Sequence, residues 1–369
     1  MAGDGREAGA HLRERLVCLP RRMLTRRETM HPETDVTAAQ QADTRVSVII
    51  VNYGTADLVI AGVNSVLEQA HPGLAVDVHV VDNASPGDDA TVLAAAMAQP
   101  GWARHVTLYP EAVNHGFGRG NNVAFDALAS RATPPDYVFL LNPDARLKND
   151  ALVRLAAFLD AHPKVAIAGA KIEKPGDGVQ VAAFRFPSLA SEFVKGAQLG
   201  PVSRLLAHKR VSLDRHIPEQ KVDWVAGAAM MARFSVIRQL KGFDPAFFLY
   251  FEEVELMHRV AAMGLETWYV PDAVVEHEEG AATQLNKESR EELKRKPRYW
   301  FESYRHYHLA TGGRFYAVCA ATVWILGALI RACLALLRGK TNVLPPHFFR
   351  DMWQIVLRPL LGFGGRGHA

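Results

Sequence analysis

The chain has 369 residues, of which 49% are hydrophobic and 22% charged, so it reads as globular, with material for one large domain or two modest ones. A net charge of only +3 gives no whole-molecule reason to bind nucleic acid. Cys18, Cys319 and Cys333 are odd in number and lack metal-type spacing, which excludes a disulfide framework and points to a reducing compartment.

Residues 1–44 mix Arg, Glu, Gly, Thr and Gln without sustained periodicity, and are expected to be mostly disordered with a short helix near Leu12–Met23. Met30 is a second candidate start. The stretch "LVCLPRRML" is too short and interrupted for a signal-peptide core, so the folded part is expected to stay in the cytoplasm.

Order begins at "RVSVIIVNYG", where Val46–Val51 is a continuous, β-branched apolar run of the kind buried on both faces of a sheet. A helix over Leu58–Gln69, the strand "AVDVHVVDNAS", the helix "DDATVLAAAMAQ", the strand "HVTLY", the helix "NNVAFDALAS" and the strand "DYVFLLN" follow. This alternation predicts βαβ units, hence a Rossmann-like, mostly parallel sheet with helices on both faces. A helix from Ala151 to about His162 and a strand "VAIAGAKI" continue it. Next comes a less regular stretch with a basic segment, Arg204–Arg210, expected to be a flexible insertion. Regular structure returns with "VDWVAGAAMMARFSVIRQLKGFD", a strand and then a helix.

In such sheets ligands sit beyond the carboxyl ends of the strands, near the point where strand order reverses. Polar residues stand there: Asn52 after the first strand, Asp82 and Asn83 after the second, Asn142 and Asp144 after the fourth. The loop "NHGFGRGNN" follows the third. One Asp of this kind is an ordinary turn former. Several on successive strands favour a shared site, and Asp144 just past Pro143 suits a metal or phosphate at a strand end.

The segment "GFDPAFFLYFEEVELMHRVAAMG" (residues 242–264) leads four aromatics into three glutamates that open a helix. Acids in a first helical turn also simply complement the helix dipole. On a helical wheel Val254, Met257, Val260 and Ala261 define the buried side, with Glu253 close to it and Glu252 and Glu255 pointing away. A carboxylate so placed has a raised pKa and can serve as a base. "ETWYV" is a further strand. His277 in "VPDAVVEHEEGAAT" ends another and, with Asp144, offers mixed oxygen and nitrogen ligands to Mg²⁺ or Mn²⁺.

Taken together, "VSVIIVNYG…VVDNAS…NHGFGRGNN…VFLLNPDA…WVAGAAMMAR…GFDPAFFLYFEEVELMHR…VVEH" resembles glycosyltransferase family 2, nearest its rhamnosyltransferase-like branch, over roughly residues 45–285. The resemblance implies the GT-A fold and transfer with inversion from a nucleotide sugar, dTDP- or UDP-linked. It places the nucleotide base on Asp82 beside Asn52 and Tyr53. It sets Asn114, Gly116, Gly120 and Asn121 against the nucleotide sugar, and puts Asn142 and Asp144 at the diphosphate and its metal, joined by His277. The catalytic base falls on Glu253. Two departures stand out: Asn142 replaces the first acid of the metal motif, and Glu253 stands where the family usually has Asp. Trp224, Phe248, Tyr250 and Glu252 are candidates for the acceptor face, as lipid-linked or cell-surface glycan is the acceptor the resemblance implies. L-Rhamnose from dTDP-rhamnose is the leading donor, with galactofuranose, GlcNAc or glucose as alternatives. A nucleotidyltransferase would want a basic phosphate loop that "NYGTAD" lacks. A non-catalytic membrane-complex scaffold is the remaining alternative.

The tail is basic and apolar at once: residues 290–351 hold 11 Lys/Arg against 4 acids. Phe315–Ile330 is an uncharged run of 16 residues before Arg331, short of a span of about 20 residues, and Arg331 at depth would be costly. An interfacial helix on anionic lipid fits better than a spanning one, with "FFRDMWQIVLRPLL" as a second candidate. The expected layout is an N-terminal extension (1–44), a catalytic domain (45–285) and a helical membrane-associating region (286–369). The enzyme would sit at the cytoplasmic face of the plasma membrane, peripherally or with one C-terminal membrane helix.

Overall fold

The computed structural model describes residues 44–176, 178–278, 295–339 and 344–363. The helix expected at Leu12–Met23 and the expected disorder ahead of residue 44 lie outside them. The first half of the fold runs β1 (Thr44–Asn52), α1 (Ala56–Leu67), β2 (Leu74–Asp82), α2 (Asp89–Ala96), β3 (Val106–Pro110), α3 (Gly116–Ala129) and β4 (Tyr137–Leu141). Strands β3-β2-β1-β4 are all parallel neighbours. The chain moves outward from β1 to β3 and then returns to the other side of β1, so strand order reverses between β1 and β4. Residues 46–52 of β1 are all buried, as a strand covered on both faces requires.

The second half is mixed. After β5 (Ala145–Leu147), α4 (Ala151–Ala161), β6 (Val165–Lys174), β7 (Gly178–Val179) and β8 (Ala183–Phe184) come α5 (Leu189–Ala197), α6 (Gly200–Leu205), β9 (Gln220–Val222), β10 (Trp224–Val225), β11 (Ala229–Arg233) and α7 (Phe234–Leu240). Then follow α8 (Glu252–Ala262) and β12 (Glu266–His277). The sheet continues β4-β11-β6-β12-β5, with β11 antiparallel to both neighbours. The fold is therefore the expected GT-A type. Periodicity did not show that the run from Val222 to Arg233 divides into three short strands, broken at Asp223 and around Gly227. Likewise, "ETWYV" and the strand ending at His277 are one strand with a register shift between Val270 and Val274. Pro271 sits in that irregularity, where its missing N–H costs no ladder bond.

Two expected irregular segments are regular. The glycine-rich "NHGFGRGNN" forms the first turns of α3. Glycines weaken a helix, but here they bring it close to its neighbours: a Cβ at Gly120 would lie 2.8 Å from Val51 Cγ1, and one at Gly118 3.0 Å from Phe243 Cβ. Helix α5 lies inside the stretch expected to be irregular, and its N-terminus carries a reciprocal Ser188–Ser191 capping box.

The tail opens with α9 (Arg298–Leu337), broken at Gly313, whose φ of 75° and ψ of 175° are non-helical. Before the break, Ser303 Oγ donates to Leu249 O at 3.0 Å and His306 Nε2 lies 2.7 Å from Asp244 Oδ2. Beyond it, α9 packs against α5 so tightly that a Cβ on Gly327 would fall 2.6 Å from Phe193 O. The last described elements are α10 (Phe348–Asp351), a π-turn (Met352–Leu357) and α11 (Arg358–Leu360). These dock on α9, and Arg295, just ahead of that helix, makes a bidentate pair with Asp351 at 2.9 and 2.7 Å.

Candidate active site

The parallel register sets Asn52 beside Asp82. Asn52 Nδ2 donates to Asp82 Oδ1 at 2.9 Å, and Ser85 Oγ donates to the same oxygen. Asn52 Oδ1 in turn accepts from Thr55 N and Thr55 Oγ1. Asn52 is fully buried. It therefore braces the β1–α1 turn and the Asp82 carboxylate. Asp89 does the same for the start of α1, accepting from Ala56 N at 2.7 Å.

Asn83, the next residue, organises the start of α3. Its Nδ2 reaches Asn114 Oδ1 (3.1 Å) and Gly116 O (3.0 Å), while its Oδ1 accepts from His115 N (2.9 Å). Asn114 Oδ1 also accepts from Gly116 N at 2.8 Å. This network holds Gly116 at φ 76° against the backbone of Phe248. Gly120 and Asn121 lie one turn further in, and Asn121 donates to Phe117 O within its own helix, so both act as packing beneath the site.

On the other side of the switch point, the Ala145–His277 pairing of β5 with β12 brings Asp144 beside His277. Asp144 Oδ1 is 3.0 Å from His277 Nε2, and Asn142 Nδ2 lies 3.3 Å from that same ring nitrogen. Nε2 cannot donate to Asp144 and accept from Asn142 at once. A cation in the place of the proton would satisfy the carboxylate and the ring nitrogen together. Among the described residues no group of three His, Cys, Asp or Glu side chains is poised for a metal. Asp144 and His277 therefore fit an ion that takes its other ligands from water and substrate phosphate, the usual habit of Mg²⁺.

Between these two halves opens a cleft of about 350 Å³, lined by Tyr53, Asn114, Gly116, Asn142, Phe248 and Tyr250 among others. Phe248 and Tyr250, candidates for the acceptor face, thus share one cavity with four candidates for the donor. Trp224 is not part of it. Its ring stacks on Phe184 at 3.9 Å and its indole N–H donates to Arg185 O, so it braces the β8–β10 ribbon.

Helix α8 corrects the wheel. Glu252 and Glu255, expected to point away from the interior, are buried, and Ala261, expected inside, is exposed. The helix is enclosed on several sides, by β10 and β12 and by α3, α7 and α9, so no single face is the inward one. Arg259 neutralises Glu255 at 2.8 Å. Glu252 and Glu253 each keep one carboxylate oxygen buried without a hydrogen-bond partner. Burial, and then the neighbouring Glu253, hold the Glu252 carboxyl well above the usual range; burial alone pushes Glu253 up. Glu253 lies just behind the cleft wall: its Cβ and the ring edge of Phe117 are 3.6 and 3.4 Å from a Cβ placed on Gly227.

The profile of "Glycosyltransferase like family 2" matches residues 43–298. The chain belongs to this family. It is a glycosyltransferase, which sets aside the nucleotidyltransferase and the non-catalytic scaffold. Over 244 residues it is 30% identical to the Mycobacterium tuberculosis N-acetylglucosaminyl-diphospho-decaprenol L-rhamnosyltransferase, a match spanning 63% of this chain and 76% of that protein. It is 26% identical over 159 residues to rhamnosyltransferase WbbL of Escherichia coli, covering 42% and 58% of the two. Among solved structures, GalNAc-T7 with UDP, GalNAc and Mn²⁺ shares the fold at a TM-score of 0.53 and 13% identity, over 87% of this chain and 58% of the other.

Sequence reasoning missed one cleft residue of this glycosyltransferase from outside the matched motifs. Tyr299, on the first turn of α9, lines the same cavity. It stacks on Tyr250 (6.2 Å, 18°) and meets Phe248 edge-on at 5.4 Å. No local pattern could have found it, because only the packing of α9 on the catalytic sheet brings it there.

Proposed function

We propose that this glycosyltransferase moves L-rhamnose from dTDP-rhamnose to a polyprenyl-diphosphate-linked glycan, with inversion, at the cytoplasmic surface of the plasma membrane. The sugar is drawn from the names of the two relatives and the lipid-linked acceptor from the name of the first; the dTDP carrier is the one the sequence resemblance implies. The observation that carries the mechanism is the pairing of Asp144 with His277 past the carboxyl end of β4, together with the partnerless buried carboxylate oxygens of Glu252 and Glu253 at the start of α8.

Asp82, braced by Asn52 and Ser85, would bind the nucleotide base, with Tyr53 and the Asn114–Gly116 turn against its sugar. Asp144 and His277 would hold Mg²⁺ or Mn²⁺, which neutralises charge developing on the departing diphosphate. Glu253 takes the proton from an acceptor hydroxyl as that oxygen bonds to the anomeric carbon and the bond to diphosphate breaks on the opposite face. One displacement suffices and configuration inverts. Burial raises the proton affinity of Glu253, which suits a general base, and fixing both substrates in the cleft supplies much of the acceleration.

Helix α9 is long and apolar enough to cross a membrane by length and composition. A third of its most apolar window is buried inside the protein, while Phe315, Leu336 and Leu337 are more than three-quarters exposed. This supports a helix lying at the interface, its inner side on α5 and its outer side in lipid.

The test is sugar transfer to N-acetylglucosaminyl-diphospho-polyprenol in vesicles. dTDP-rhamnose, UDP-galactofuranose, UDP-GlcNAc and UDP-glucose would be compared, with Mg²⁺, with Mn²⁺ and with EDTA. Transfer from dTDP-rhamnose alone is expected. Another donor as the preferred one would overturn the assigned sugar, and full activity in EDTA would overturn the metal.

A further inference from the structure

A second cavity, of about 700 Å³, lies away from the Asp144–His277 site, between α5 and the facing residues 210–216. Ser191 and Lys195 line it from the helix; Arg210, Ser212, Asp214 and Arg215 line it from the other wall. Three permanent cations thus face one carboxylate, and neither arginine has an ion-pair partner among the described residues. Exposed arginines alone would mean little. The lysine behind them is different, because it is half buried on aromatic rings.

Lys195 Nζ sits 3.8 Å from the ring centre of Trp324 and about equally far from Tyr304 and Trp300, at 5.0 and 5.1 Å. Lys296 lies 4.2 Å over the same Trp300 ring. Two ammonium groups therefore share one indole, and Glu192, 3.3 Å from Lys195, is the one carboxylate paired with either among the described residues. Burial, and then the charge of Lys195, lower Lys296 to about 8. Lys296 stays outside the cavity, so what faces it is half-buried Lys195 with the exposed, unpaired Arg210 and Arg215, a cationic wall that an anion completes.

We infer that the α5–(210–216) cleft seats the diphosphate of a lipid-linked acceptor, with Lys195, Arg210 and Arg215 as its cationic ligands. The inference rests on the lipid-linked acceptor proposed above. Its position fits. Leu213 N donates to Ala183 O and Arg185 N to Val211 O, Phe184 pairs with Trp224, and three residues further lies Gly227 beside Glu253. Two ladder steps and a short run of strand put the cleft's backbone on the order of 15 Å from the base, a gap that a sugar diphosphate bridges together with the reach of the lysine and arginine side chains. The helix that beds Lys195 also exposes Leu326, Leu329 and Ile330, an apolar surface for the polyprenyl chain.

The test uses the full chain and two variants, Arg210→Glu/Arg215→Glu, at exposed positions, and Lys195→Met. Tryptophan emission, to which Trp300 and Trp324 contribute among six tryptophans, is titrated with inorganic pyrophosphate in EDTA. Saturable binding is expected, weakened about tenfold or more in the arginine variant, as loss of charge-assisted hydrogen bonds implies. Flotation with phosphatidylcholine vesicles carrying farnesyl diphosphate, or phosphatidylglycerol at equal charge, separates the two sources of phosphate. The variant should lose the first and keep the second. In transfer assays KM for acceptor should rise about tenfold while KM for donor is unchanged. No pyrophosphate binding by the native chain, equal binding by the arginine variant, or equal loss of both vesicle types overturns the inference. Should the native chain transfer no sugar to lipid-diphosphate acceptors, the functional reading fails on its own, and the pyrophosphate titration still judges the cleft.

Discussion

Gly116 and Phe248 touch backbone to backbone: a Cβ on the glycine would lie 1.7 Å from the Phe248 carbonyl oxygen. Phe117 N donates to that same oxygen at 3.2 Å. This contact joins the start of α3 to the aromatic segment ahead of α8, and so joins the two walls of the cleft.

Gly116→Ala should therefore act on both walls together. The left-handed φ of 76° and the clash combine to cost about 3 kcal/mol or more in stability, with transfer lost as the cleft is displaced. Thermal unfolding and a transfer assay read this directly. A variant with native melting temperature and native activity would show that the contact is not needed.

Glu253→Gln should reduce kcat by about 10²–10⁴-fold while nucleotide binding, followed by calorimetry, stays close to native. Glu253→Asp restores the acid usual in the family, one methylene shorter, and should recover part of the rate. The active form of Glu253 is the carboxylate and its pKa is raised, so kcat should fall with acid through a limb lying above the ordinary carboxyl range. If Glu253→Gln turns over normally and Glu252→Gln does not, the two roles are exchanged.

Glu252 carries a stability signature of its own. Its folded pKa stands above its unfolded one, so the folded state binds more protons and stability declines as pH rises from the unfolded value through the folded one. Glu252→Gln removes that penalty. It should melt higher than the native protein at neutral pH, with the gap closing below about pH 4, where the carboxyl is protonated in both states. Unfolding curves across this range would contradict the assignment if the gap widened in acid.

Gly327→Val should separate α9 from α5, because its Cβ would stand 2.6 Å from Phe193 O and 2.8 Å from Ala197 N. A loss of about 2 kcal/mol is expected from overpacking, together with faster hydrogen exchange in α5. Native exchange rates there would mean the two helices readjust at little cost.

Much of this was legible in residue order. The β-branched run of β1 and its polar end at Asn52 declare a strand buried on both faces and a site at its carboxyl edge, since burial and period leave few other options. The pairing of Asp144 with His277 needed more, as they are 133 residues apart in sequence and meet only because a three-residue strand, β5, docks antiparallel on β12. Strands that short carry no period. Glu252 was placed wrongly because the wheel assumes one solvent-facing side and α8 has almost none. Tyr299 was missed because nothing local marks it, and the cationic cleft because α5 was expected to be irregular.

Tyr250 and Phe251 hold φ of 72° and 71°, a left-handed conformation that costs a bulky residue on the order of 1–3 kcal/mol each. They stand immediately before the glutamate pair, so the turn that aims both carboxylates is bent before any sugar arrives. The expense falls on folding and is spared at each turnover. An engineer who relaxed the turn with glycine would gain a sturdier protein and blunt its aim. In this segment durability and readiness draw on the same two torsion angles.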